Sequence, residues 1–107
     1  MQRFASVIRL RPGREAEYRA LHAAVWPEVL AGLRAAHVHN YSIFHRDGLL
    51  FSYLEYDGAD YAADMAALAA DETTRSWWEL TDPCQQPLPT ASPGQWWAAA
   101  EEVFHCD

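Results

Sequence analysis

The stretch His39-Asn40-Tyr41-Ser42-Ile43-Phe44-His45-Arg46-Asp47-Gly48-Leu49-Leu50-Phe51-Ser52-Tyr53-Leu54-Glu55-Tyr56 decides the fold. Residues 39–44 and 49–56 are strand-like runs, joined around Arg46-Asp47-Gly48. Asp-Gly between apolar runs is a strong hairpin signal, because the central positions of a tight two-residue turn need positive φ. An antiparallel sheet follows, and the rest of the chain is arranged around it.

Upstream, residues 3–10 alternate, with Phe4, Ser6, Ile8 and Leu10 pointing one way and Ala5, Val7 and Arg9 the other. This is a first strand, ended by Pro12-Gly13. From residue 14 to about 36 the spacing is helical: Leu21, Val25, Val29 and Leu33 form one stripe and Tyr18, His22 and Trp26 an adjacent one. Pro27 has no N–H and is expected to kink or restart this helix. Downstream, residues 59–70 are Ala-rich and helical, and 72–80 form a short helix carrying Trp77-Trp78. Pro83, Pro87, Pro89 and Pro93 mark an extended loop. Residues 96–100 fit a helical turn or the start of a final strand, and Val103-Phe104-His105 reads as strand.

The order is β-α-β-β-α-β, the ferredoxin-like α+β pattern, with helices on one face of a four-stranded antiparallel sheet. The other sheet face is left uncovered and is expected to pair with a second copy of the chain, giving a homodimer. The 107 residues fit a single domain spanning 1–107. The formal net charge is −7 and the eight basic residues are scattered, which argues against nucleic acid and anionic membranes as partners. No run approaches a spanning helix and the N-terminus has no signal pattern, so a cytosolic protein is expected. Cys84 and Cys106 lack the spacing of a zinc or redox site.

His22 is the strongest candidate for chemistry. Spacing of four residues places Tyr18, His22 and Trp26 on one side of a helix. Histidine gives or takes a proton near neutral pH, a tyrosine hydroxyl hydrogen-bonds, and an indole supplies an apolar wall. Periodicity mostly reports burial, so spacing alone describes a core stripe equally well. Tyr41 on the second strand is either packing or a pocket hydroxyl. Trp77 and Trp78 point about 100° apart on a helix, so one can anchor the core while the other lines a cavity. Aromatic faces suit the apolar side of a sugar ring. His37, His39 and His45 cluster in sequence, but no Cys or carboxylate completes an obvious first shell, so no metal is expected. Phosphate loops, nucleophile elbows and HExxH are absent.

Four segments fall in order along nearly the whole chain: Tyr18-x-x-x-His22-x-x-x-Trp26-Pro27-Glu28, His39-Asn40-Tyr41-Ser42-Ile43, Trp77-Trp78 and Glu102-Val103-Phe104-His105. Together they resemble the L-rhamnose mutarotase family. That resemblance implies a homodimeric, ferredoxin-like α/β barrel that interconverts the α and β anomers of L-rhamnose, or of a related deoxy-sugar such as L-fucose, without a cofactor. By the same resemblance His22 matches the proton donor, and Tyr18, Tyr41, Trp77 and Trp78 match the sugar-binding residues. Two other readings stand beside it. One is a haem-binding or cofactor-free monooxygenase on the same barrel; the other is a non-catalytic binding or dimerisation module.

Overall fold

In the computed structural model, which describes residues 1–107, the elements run β1 (Gln2–Leu10), α1 (Glu15–His22), α2 (Pro27–Ala35), β2 (Val38–Arg46), β3 (Leu49–Tyr56), α3 (Tyr61–Ala70), α4 (Glu72–Thr81), a 3-10 turn (Asp82–Cys84), β4 (Gln85–Gln86) and β5 (Ala98–Ala100). The β2–β3 hairpin forms as expected. Asp47 and Gly48 both take positive φ, 52° and 74°, which matches the right-handed twist of the strands they join. β3 pairs in turn with β1 over its whole length, from Gln2 opposite Tyr56 to Arg9 opposite Leu49.

The sheet order is β2-β3-β1-β4, all antiparallel. β5 also pairs with β1. The outer edge of β1 is therefore shared: Gln85–Gln86 lies opposite Leu10 and Arg9, and Ala98–Ala100 opposite Val7 to Ala5. Two short strands thus stand where one was expected. The final strand is not Val103-Phe104-His105. That segment has no regular structure, and Val103 and Phe104 are 91% and 80% exposed. Ala98–Ala100 reaches the free edge of β1 first, and an Arg3–Glu102 ion pair ties down the chain beyond it.

Pro27 restarts the helix. Trp26 is extended at ψ 135°, as the residue before a proline must be, and Pro27 occupies the first turn of α2, where its missing N–H costs nothing. This corrects the position of His22, which is the last residue of α1 and not mid-helix. Asp60 and Asp71 start α3 and α4 by accepting the Ala63 and Thr74 N–H groups, so Trp77-Trp78 sits at a fixed height over the sheet.

The helix-side face of the sheet carries the core. Ile8, Leu10, Tyr18, Leu50 and Cys84 form its main cluster, and Ala36, Val38 and Leu68 a second under α2 and α3. On the opposite face Phe44 and Phe51, which are cross-strand partners, remain 62% and 38% exposed. No helix is long and apolar enough to cross a membrane.

Candidate active site

A cavity of about 1000 Å³ lies between the helices and the covered face of the sheet. This is the upper end of the range for small-molecule sites. Most of its lining is apolar, and it includes all five residues expected at the site: Tyr18, His22, Tyr41, Trp77 and Trp78.

His22 owes its place to the end of α1. Its Nδ1 lies 2.9 Å from the Tyr18 backbone carbonyl, one turn back. A carbonyl oxygen can only accept, so Nδ1 carries the proton and donates it. Nε2 is then the ring nitrogen free to exchange a proton. The ring lies 4.3 Å from that of Tyr18 and meets Trp77 edge-on at 5.7 Å. Trp26 is beyond the helix break, so it does not extend the Tyr18–His22 stripe along one helix. It reaches the site by packing edge-on against Trp77 at 5.3 Å.

The two adjacent tryptophans divide as helical geometry requires. Trp77 is buried at 6% exposure and walls His22, while Trp78 is 37% exposed and also lines the cavity.

Tyr41 faces the cavity because of a β-bulge between His39 and Ser42. Asn40 is the extra residue, in the left-handed region at φ 49°. Strict alternation from Val38 would have turned Tyr41 to the open face; one inserted residue turns it inward. Tyr41 is 41% exposed as a residue, yet desolvation pushes its pKa up, and neighbouring Tyr18 and Tyr61 add to the shift.

Tyr18 is buried, and its hydroxyl accepts a hydrogen bond from the Gln85 side-chain amide at 2.9 Å. Burial pushes its pKa up to about 12 against the opposing effect of Gln85, with Cys84 and Asp82 nearby raising it further. The group is a neutral phenol at pH 7, suited to donate a hydrogen bond and poorly suited to act as a base. Gln85 in turn accepts the Trp96 indole N–H at 2.7 Å. Neither Gln85 nor Trp96 stands out in the sequence, because the contacts join segments 67 and 11 residues apart with no periodic signal.

Ser6 and Ser52 hydrogen-bond to each other across β1 and β3 on the cavity floor. Asp82 lines the same wall as Tyr18, and burial raises its pKa. The three histidines of the second strand region do not converge. His37 and His39 face Asp57, at 3.6 and 2.9 Å, while His45 accepts the Gly48 N–H and lies 3.4 Å from Glu15.

A sequence model of the L-rhamnose mutarotase family matches residues 3–106. The chain belongs to the L-rhamnose mutarotase family. An L-rhamnose mutarotase from Listeria monocytogenes serotype 4b is 36% identical over 87% of this chain and 88% of its own length. The crystal structure of the L-rhamnose mutarotase from Formosa agariphila superposes with a TM-score of 0.79 at 28% identity, covering 100% of both chains. Tetracenomycin F2 cyclase from Streptomyces glaucescens shares the fold, with a TM-score of 0.77 at 16% identity over 100% of this chain and 98% of its own. Membership of the mutarotase family favours neither the monooxygenase nor the non-catalytic reading.

Proposed function

We propose that this chain is an isomerase that interconverts the α and β anomers of L-rhamnose, with His22 as its acid–base group. The observation that carries the reading is the Nδ1 hydrogen bond of His22 to the Tyr18 carbonyl at 2.9 Å, which leaves Nε2 free in a ring that lines an apolar cavity. The family match supplies the sugar.

Changing an anomer requires the ring to open and close again. Nε2–H of protonated His22 gives its proton to the ring oxygen as the C1–O5 bond breaks. The anomeric hydroxyl loses its proton as C1=O forms. The aldehyde turns about C1–C2, and the reverse transfers close the ring on its other face. Tyr18 remains a phenol throughout and donates to a sugar hydroxyl, because its pKa is raised to about 12. We assign the proton of the anomeric hydroxyl to the Asp82 carboxylate, which lines the cavity near Tyr18. One positioned acid–base group contributes typically about 10²–10⁴-fold. Tyr41, Trp77 and Trp78 bind the sugar: the indole faces suit its apolar side, including the 6-methyl group, and Tyr41 adds a hydroxyl.

The protein acts as a homodimer in this reading. Only 15 of 107 residues are buried in one protomer, and the Phe44–Phe51 pair lies bare on the open sheet face. A second copy packed there would cover it. Saturation-transfer NMR across L-rhamnose, L-fucose and unrelated aldoses tests the activity. Faster anomer exchange is expected with L-rhamnose, and no acceleration with any sugar would overturn the proposal.

A further inference from the structure

We propose that Gln85 and Trp96 are positioning residues that force the Tyr18 hydroxyl to donate its proton into the cavity. This rests on the mutarotase reading for its consequence, though its geometry stands independently. An indole N–H can only donate. The oxygen that receives it at 2.7 Å is therefore the carbonyl oxygen of the Gln85 side chain. The amide nitrogen at the other end must then face Tyr18, and it donates to the phenol oxygen at 2.9 Å. The opposite flip of the Gln85 amide would set its NH₂ against the indole N–H, donor against donor.

The rest of Gln85 cannot shift to relieve this. It is 3% exposed, its backbone pairs with Leu10, and its carbonyl accepts from Arg11 Nε at 3.0 Å. A phenol whose oxygen is occupied by a donor keeps its own proton for a different acceptor. No other group of the protein bonds to that hydroxyl, and Tyr18 lines the cavity. The acceptor is a hydroxyl of the sugar. Donation from Gln85 also draws the Tyr18 pKa down against the effect of burial, which makes the phenol a stronger donor. Tyr18 thus serves twice: its carbonyl sets the tautomer of His22, and its hydroxyl, aimed by Gln85, holds the substrate beside it.

The experiment compares Y18F, W96F, Q85E and the Y18F/W96F double variant by saturation-transfer NMR over a range of L-rhamnose concentrations. Y18F raises KM by about tenfold, the value of one well-made hydrogen bond. W96F raises it by about threefold, because the Gln85 amide is free to flip. The double variant is no worse than Y18F alone. Q85E keeps the shape but replaces the donor with an acceptor. It matches Y18F at neutral pH and recovers relative to the wild type as the pH falls and the introduced carboxyl gains a proton to donate. A merely structural role predicts multiplicative losses in the double variant and a Q85E deficit that does not change with pH; either result overturns the proposal. A second readout needs no activity. The ¹³Cζ signal of Tyr18, assigned by its loss in Y18F, moves in W96F at pH 7 while those of Tyr53 and Tyr56 stay in place. If that signal stays fixed the positioning proposal fails, whereas an inactive wild type with a shifted Tyr18 signal removes the mutarotase reading alone.

Discussion

The two faces of the sheet are built from the same strands and serve opposite purposes. On the helix side, Ser6, Leu10, Leu50 and Ser52 back a cavity in which hydrogen bonds orient Tyr18, His22 and Gln85. On the open side, Phe44 and Phe51 are cross-strand partners that remain 62% and 38% exposed. Period-two alternation supplies apolar residues to both faces, and only what covers each face distinguishes them. The covered face holds polar atoms away from water and can aim them. The open face has an apolar pair to hide, and exposed apolar surface of that kind favours association.

Removing the wall of the covered face gives the largest effect. Trp77→Ala takes out a 6% exposed indole that packs on both His22 and Trp26, and is expected to cost about 3–5 kcal/mol in urea or thermal unfolding, with loss of exchange activity. Breaking the open face has a different signature. If the wild type is the dimer proposed above, Phe51→Lys with Phe44→Lys is expected to convert it to a monomer in sedimentation equilibrium; a wild-type monomer at micromolar concentration would remove the purpose proposed for that face. Inside the cavity, Asp82→Asn is expected to lower the exchange rate about tenfold with little change in stability, since Asp82 makes no ion pair that folding relies on.

The smallest effect separates the faces by pH. Burial raises the Tyr18 pKa from 10.0 to about 12, so folding favours the neutral phenol. That contribution is complete below pH 10, the unfolded value, and is lost as the pH climbs through about 12. Denaturation midpoints are expected to fall between pH 10 and 12, and to fall less in Tyr18→Phe.

The features legible in the sequence were local ones. Asp47-Gly48 marks the hairpin, Pro27 marks the helix break, and alternation marks β1. Three features were not legible, each for its own reason. The bulge at Asn40 breaks the period that pattern reading relies on, and it is what turns Tyr41 to the cavity. β5 is three alanines, which carry no contrast between faces, whereas Val103-Phe104-His105 has contrast and forms no strand. The Trp96–Gln85–Tyr18 chain joins distant segments through side-chain polar atoms, and neither composition nor spacing records such contacts. The resemblance to the family marked His22, Tyr18, Tyr41 and the two tryptophans as candidates, and the fold brings all five to one cavity, where spacing alone could not separate a site from a core stripe.

The central claim is that His22 Nε2 moves the proton. Saturation-transfer NMR on L-rhamnose with wild type and a folded His22→Ala variant tests it directly. The account predicts exchange slower by about 10²–10⁴-fold in the variant, with far-UV circular dichroism unchanged. A folded variant that retains the wild-type rate would contradict it.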